Sequence, residues 1–337
     1  ALMPSVWFAV LTAFGSATQD IALDAYRIES GDADHQAALS AAYQTGYRIA
    51  MIWAGAGVLW IAARAEVANP QNYDPNGWRV AYLVMAASMA VGFITVLFSR
   101  EPVQRPLAPA KNVVEWLRTA LVEPFADFFR RFGWNALLVL ALIATYRISD
   151  IVMGIMANPF YVDMGYSKDE VAAVSKVYGL VMTLIGAALG GVLAIKFGMM
   201  RTLMLGAILS ATSNLLFSWL AMIGHDVTWL TVVISVDNLS AGIASSVFIA
   251  YMSSLTNISY SATQYALLSS IMLLLPKWLA GFSGVAVDAV GYRAFFVGTA
   301  LIGVPVLVLI WIASRRLQHK QLSPESKVSR GLTPVFL

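Results

Sequence analysis

Ala17-Thr18-Gln19-Asp20-Ile21-Ala22-Leu23-Asp24-Ala25-Tyr26-Arg27 closes an apolar run that begins near residue 3, and it sets three ionisable side chains inside a stretch long enough to cross a bilayer. Asp or Arg at the centre of a membrane helix costs about 2.5 to 3.5 kcal/mol on insertion scales, so such residues face a partner or a wet cavity. Asp20 and Asp24 are four residues apart and Arg27 follows three later, a spacing that puts all three on one helical face. The stretch therefore predicts a spanning helix and, along one side of it, a path for something polar.

The rest of the chain agrees with lipid as its solvent. Its 337 residues are 59% hydrophobic and 12% charged, with a mean hydropathy of +0.70. A soluble domain has more polar surface to present than that. About nine stretches of roughly 20 apolar residues are bounded by charge, Pro or Gly. They fall near 3–26, 41–63, 79–98, 134–157, 171–195, 202–223, 228–255, 264–287 and 294–314. With no strand-like alternation between them, the expected fold class is an all-α membrane bundle.

Orientation follows from Lys and Arg, which concentrate on the cytoplasmic side. If the first span runs from outside to inside, fifteen of the 22 basic residues fall in cytoplasmic segments and five outside, while Arg147 and Lys277 lie within spans. The sequence pI near 9.1 thus reads as topology. No basic face with interleaved aromatics suggests nucleic acid as a partner.

Internal repetition organises the spans. Gly15-Ser16-Ala17-Thr18 recurs in type as Gly242-Ile243-Ala244-Ser245, and Gln36-Ala37-Ala38-Leu39 as Gln264-Tyr265-Ala266-Leu267. In the same order Gly77-Trp78-Arg79 is answered by Gly291-Tyr292-Arg293. Spans one to three thus correspond to spans seven to nine. Spans four to six have no counterpart, so three helices are expected to be missing ahead of residue 1. The expected division is residues 1–98 as part of a first helical half, 99–133 as a cytoplasmic linker, 134–314 as a second half and 315–337 as a tail. In the linker, Val113, Leu117, Leu121, Phe125, Phe128 and Phe132 recur at helical spacing and predict an amphipathic helix at the cytoplasmic interface. Gly186 and Gly190, at small-xxx-small spacing, read as packing glycines.

Several further stretches carry a resemblance: Thr18 to Arg27, Gly46-Tyr47-Arg48, Glu123-Pro124-Phe125-Ala126-Asp127-Phe128-Phe129, Tyr146-Arg147-Ile148-Ser149-Asp150, Pro159-Phe160-Tyr161, Gly165-Tyr166-Ser167 and Ala262-Thr263-Gln264-Tyr265-Ala266-Leu267-Leu268-Ser269-Ser270. On these the chain resembles the AmpG-type muropeptide permeases of the major facilitator superfamily, a group also similar to the acetyl-CoA transporters. The loop pattern of that superfamily matches Gly190 to Arg201 loosely and lacks its usual acidic residue where Ile195 or Lys196 stands. The resemblance implies a 6+6 helical bundle of which helices 4 to 12 are present, with a central cavity lined by helices 1, 4, 7 and 10. It implies import of anhydro-muropeptides across the bacterial inner membrane for cell-wall recycling, by alternating access and proton symport. A monomer needing no cofactor beyond the proton motive force is expected, with the lipid bilayer and a small glycopeptide as its partners.

Spans one, four and seven, the cavity helices under that reading, all carry charge: Asp20 and Asp24, Arg147 and Asp150, and Asp237. Asp20, Asp150 and Asp237 are the candidate proton carriers. Arg147, Lys277, Tyr146 and Gln19 are the candidate substrate contacts, the cations meeting peptide carboxylates. Tyr146, Tyr161, Tyr251 or Trp278 would cover sugar faces. Asp24 and Arg27, near the cytoplasmic end, are gate candidates. Each feature also has a structural reading: Arg147 with Asp150 as a fixed ion pair, and Asp237-Asn238 as a helix-packing hydrogen-bond site. Enzyme chemistry finds no support, since the chain has no Cys, its three His are scattered and no Walker-type loop is present. Asn257-Ile258-Ser259 matches a glycosylation sequon but falls in a cytoplasmic turn. A carrier for a siderophore or coenzyme A ester, and a membrane sensor without transport, are the alternatives.

Overall fold

Apolar runs ended by Gly, Pro or charge satisfy their internal backbone N–H and C=O groups when helical, which is what a hydrocarbon solvent demands. The computed structural model describes residues 3–32, 35–65, 75–102 and 111–321, and among these every regular element is a helix. In order they are α1 (Met3–Glu29), α2 (Gln36–Ile52), α3 (Val58–Ala65), α4 (Asn76–Ser88), α5 (Ala90–Phe98), α6 (Val113–Leu117), α7 (Glu123–Phe132) and α8 (Asn135–Thr145). There follow α9 (Ile148–Asp163), α10 (Lys168–Val171), α11 (Gly179–Phe197), α12 (Met199–Ile223), α13 (Val227–Leu255), α14 (Ser261–Ala280), α15 (Ser283–Ile302) and α16 (Val304–Gln321). Wide π-helical turns join α2 to α3, α6 to α7 and α10 to α11.

Eight stretches among the described residues are long and apolar enough to cross a membrane: Val6–Glu29, Asn76–Phe98, Asn135–Asp163, Ala172–Phe197, Met199–Ile223, Val227–Leu255, Ile258–Ala280 and Ser283–Arg316. The all-α, multi-pass class expected from composition is the one observed. The count differs from the expected nine. Residues 41–63, the remaining expected stretch, are helical too, within α2, α3 and the turn between them. In the last stretch the backbone leaves helical geometry at Gly291, with φ 77° and ψ 164°. Only glycine takes that conformation without strain, and it marks the span boundary expected at Gly291-Tyr292-Arg293.

The chain forms two compact units, residues 42–104 and residues 1–41 with 105–337. In the smaller, α3 lies along α4 with Ala62 and Ala81 buried, and the Arg64 guanidinium stands 3.9 Å from the Trp60 ring centroid. In the larger, α11 and α13 pack with almost no side-chain volume between them. A methyl group at Gly186 would run into the Leu239 carbonyl, one at Gly190 into Ser246 and Ile243, and one at Gly242 into the Thr183 carbonyl. The small-residue spacing read from the sequence is this contact. Aromatic rings fill the space where α9, α12 and α15 meet, with the Phe160 centroid 5.2 Å from that of Phe296 and 6.1 Å from that of Phe217.

Candidate functional site

The span that contains Tyr146 and Arg147 is two helices. α8 ends at Thr145, Arg147 adopts φ −98° and ψ 10°, and α9 begins at Ile148. Interrupted membrane helices free backbone groups and helix ends for polar ligands. Arg147 and Asp150 form an ion pair across the break, each side chain about a quarter exposed at 24% and 22%. Asp150 lies in the first turn of α9, where the partial positive charge of the helix start favours a carboxylate.

A second carboxylate approaches from α13. Asp237 accepts a hydrogen bond from Ser213 Oγ of α12 at 3.0 Å and is close enough to Asp150 for the two charges to interact. Its neighbour Asn238 turns the other way. Thr183 Oγ1 of α11 donates to Asn238 Oδ1 at 2.9 Å, and Asn238 Nδ2 donates to its own helix at Ile234 O, 3.1 Å. The pair is thus divided: Asn238 bonds towards α11 and Asp237 towards α12.

Neutral polar groups tie α9, α12 and α15 beside this cluster. Ser149 Oγ donates to Thr299 O at 2.7 Å, while Asn214 Nδ2 donates to Ser149 Oγ at 2.9 Å and to Thr299 Oγ1 at 3.1 Å. Asn214 is wholly buried, and its Oδ1 has no hydrogen-bond partner, an acceptor of the kind that ordered water or a bound polar group satisfies. The sequence reading passed over Ser213 and Asn214, although Ser210, Thr212, Ser213 and Asn214 form a polar break in an otherwise apolar span.

At the end of α1 the expected gate residues sit in a separate cluster. Arg27 is 5% exposed, with Nη1 2.8 Å from Ser253 Oγ of α13 and 3.3 Å from Ser40 Oγ of α2. Its Nη2 is 3.3 Å from Asp24 Oδ1, and its guanidinium lies 5.0 Å from the Tyr265 ring centroid of α14. Ser261 of α14 donates a hydrogen bond to Glu29, and a methyl at Gly191 of α11 would come within 3.0 Å of Ala41 Cβ. Hydroxyls and one aromatic face, more than carboxylates, hold α1 to α13 and α14 here.

The Glu123–Phe129 and Ala262–Ser270 stretches meet in a third cluster. Arg131 donates to Asp127 Oδ2, to Leu255 O and to Gln264 Oε1, each at 2.9 Å. Gln264 Nε2 donates to Pro124 O at 2.8 Å and to Asp127 Oδ2 at 2.9 Å, and Asn257 Nδ2 donates to Asp127 Oδ1 at 3.2 Å. Burial works to raise the Asp127 carboxyl, but the hydrogen bonds from Gln264 and Asn257 and the Arg131 charge outweigh it and hold it below the ordinary carboxylate range. Asn257, noted from sequence only as a sequon, is part of this joint.

Other expected contacts lie elsewhere. Tyr146 is 6% exposed, stacks on Phe248 at 4.3 Å and donates to Leu203 O at 3.1 Å, so its ring belongs to the packing between α8, α12 and α13. That placement corrects its expected role as a substrate contact: the helix break that exposes Arg147 turns the preceding side chain inward. Tyr161 and Tyr251 are likewise buried, whereas Trp278 is exposed. Lys277 is exposed in the last turn of α14. Gln19 and Asp20 are exposed on α1, with Asp20 within electrostatic reach of Asp24. Among the described residues no three His, Asp or Glu side chains gather as metal ligands would.

Comparison with known proteins agrees with this architecture. The sequence profile of the Major Facilitator Superfamily matches residues 2–276 and also 138–337. A Rickettsia felis protein named "Putative transporter AmpG 4" is 31% identical over 317 residues, covering 94% of this chain and 74% of its own length. The "Anhydromuropeptide permease" of Escherichia coli K12 is 31% identical over 328 residues, 97% of this chain and 63% of that protein. An "Uncharacterized protein" of Haemophilus influenzae is 32% identical over 329 residues, 94% of this chain and 73% of its own length.

Proposed function

This chain belongs to the Major Facilitator Superfamily and is a multi-pass membrane transporter, and from that premise we propose that it imports anhydro-muropeptides across a bacterial inner membrane in symport with protons. The cargo assignment rests on the E. coli relative that bears the name anhydromuropeptide permease. The observation that carries the mechanism is the Arg147–Asp150 ion pair at a helix break, with Asp237 of α13 within electrostatic reach of Asp150. Arg147 is the group for a peptide carboxylate, which a guanidinium binds through two parallel hydrogen bonds. When cargo draws Arg147 away, Asp150 and Asp237 face each other without a cation. Protonation of one of them removes the repulsion, and loss of that proton on the other side of the membrane resets the pair.

In this reading Arg27, Ser253, Ser261 and Glu29 close the cytoplasmic side. Residues 1–98 supply part of one half and residues 134–314 the other, with 99–133 linking them; the match of the superfamily profile in two overlapping registers supports two related halves. The tail expected at 315–337 lies mostly outside the described residues. The transporter works as a monomer, with the proton gradient as its only energy source. Uptake of labelled anhydro-muropeptide into membrane vesicles tests the proposal. Accumulation above equilibrium that a protonophore abolishes is expected, and accumulation indifferent to the proton gradient refutes the coupling.

A further inference from the structure

The linker helix has two apolar sides, and among the described residues only one of them is packed. Pro124 and Phe128 of α7 are buried, and Asp127 and Arg131 fasten that side to Leu255, Asn257 and Gln264. On the other side Val113, Leu117, Leu121, Phe125 and Phe129 form an unbroken i, i+4 row. Leu121 is 57% exposed, Phe125 41% and Phe129 45%. In a straight α-helix an i, i+4 row drifts about 40° around the axis at each step, so five such residues would spread over nearly half the circumference. The π-turn at Arg118–Val122 turns less per residue and takes back part of that drift, which keeps the row on one side.

Chain connectivity fixes where that side lies. Only Gly133 and Trp134 separate α7 from α8, the start of a membrane span, and Trp134 is 89% exposed. Two residues cannot carry the helix clear of the membrane surface, and an exposed Trp at a span's start is at home in the interfacial layer. We propose that residues 113–129 lie in the surface of the cytoplasmic leaflet, with the Val113–Phe129 row inserted at the boundary between headgroups and acyl chains. Arg118 and Arg130 share the one Glu123 carboxylate, at 3.5 and 2.9 Å, so apolar insertion sets the contact and anionic lipid adds to it. The inference uses the inward orientation of the linker but not the cargo or the proton.

The chain has no cysteine, so single-cysteine labelling needs no background substitutions. Leu121→Cys, Phe129→Cys and, on the polar side, Glu115→Cys are each labelled with an environment-sensitive fluorophore in the full protein in liposomes. Lipids brominated near the headgroup should dim the labels at 121 and 129 about twofold, in neutral as well as anionic membranes, while aqueous iodide dims mainly the label at 115. Iodide quenching at 121 and 129 equal to that at 115 overturns the proposal by placing the row in water. Protection from both quenchers overturns it by placing protein over the row. Insertion that vanishes in neutral lipid overturns the apolar account of the binding.

Discussion

Ser253→Ala is a narrow perturbation of the proposed cytoplasmic closure. Ser253 is buried on α13, and its Oγ accepts from Arg27 Nη1 at 2.8 Å while donating to Ile249 O of its own helix at 2.7 Å. The substitution removes the first bond and leaves Arg27 with Asp24, so it avoids the stranded carboxylate that Arg27→Ala would create. A hydrogen bond to a charged group is worth about 1.5 to 3 kcal/mol. Asp24 rides on the same helix as Arg27 in any state, so the whole loss falls on the closed arrangement. At 1.4 kcal/mol per factor of ten, the closed-to-open ratio should drop about 10- to 150-fold. Spin labels on cysteines at the exposed positions Ser30 and Ser254 report it by pulsed electron resonance. The short-distance population should shrink in Ser253→Ala and return in Ser253→Thr, which restores the hydroxyl. A distribution unchanged by Ser253→Ala in folded protein would refute the latch.

Three other outcomes are expected. Asp150→Asn should insert normally and exchange cargo but fail to accumulate it against a gradient; normal accumulation in vesicles removes Asp150 from the coupling. The depressed Asp127 carboxyl stabilises the linker joint fully above its unfolded value of about 3.9, and that stabilisation disappears as pH falls through the lower folded value. Hydrogen exchange over residues 123–132 should therefore quicken on acidification in the wild type and lose that pH dependence in Asp127→Asn. Gly186→Ala pushes a methyl into the Leu239 carbonyl and should destabilise the α11–α13 contact by about 1 to 3 kcal/mol, seen as a lowered Tm, whereas Gly15→Ala, which meets nothing within 4 Å, should not.

Fold and site were legible in the sequence to different depths. Span placement was readable because hydrocarbon tolerates few polar residues, so Arg100, Lys196 and Gly291 stand out at span ends. The candidate charges stood out for the same reason: Arg147, Asp150 and Asp237 are ionisable residues in spans that the resemblance assigns to the cavity. Side-chain direction was not readable. Tyr146 sits beside Arg147 in sequence, yet the break between α8 and α9 sends one ring into the packing and leaves its neighbour at the polar cluster. No Gly or Pro announces that break. The joint of Asp127, Arg131, Asn257 and Gln264 joins residues more than a hundred positions apart, and only the folded chain brings them together.

The chemistry of the proposed latch suits a protein that must open and close in every cycle. A buried guanidinium–carboxylate pair between moving parts costs about 3 to 5 kcal/mol to strand. One elementary charge crossing 100 mV releases about 2.3 kcal/mol, so a latch of that kind would stay shut under a one-proton drive. Arg27 instead reaches across to a serine hydroxyl and a tyrosine face, and its carboxylate partner, Asp24, is on its own helix. Opening leaves Arg27 paired with Asp24 and gives up its bond to Ser253, about 1.5 to 3 kcal/mol, along with the Tyr265 contact and the Ser261–Glu29 bond, without stranding the guanidinium. Replacing Ser253 with Asp should therefore lock the closure: cargo would still bind from outside, and release into the cytoplasm would slow, measured as binding without turnover. Undiminished turnover in Ser253→Asp would mean that the contact between α1 and α13 stays in place throughout the cycle.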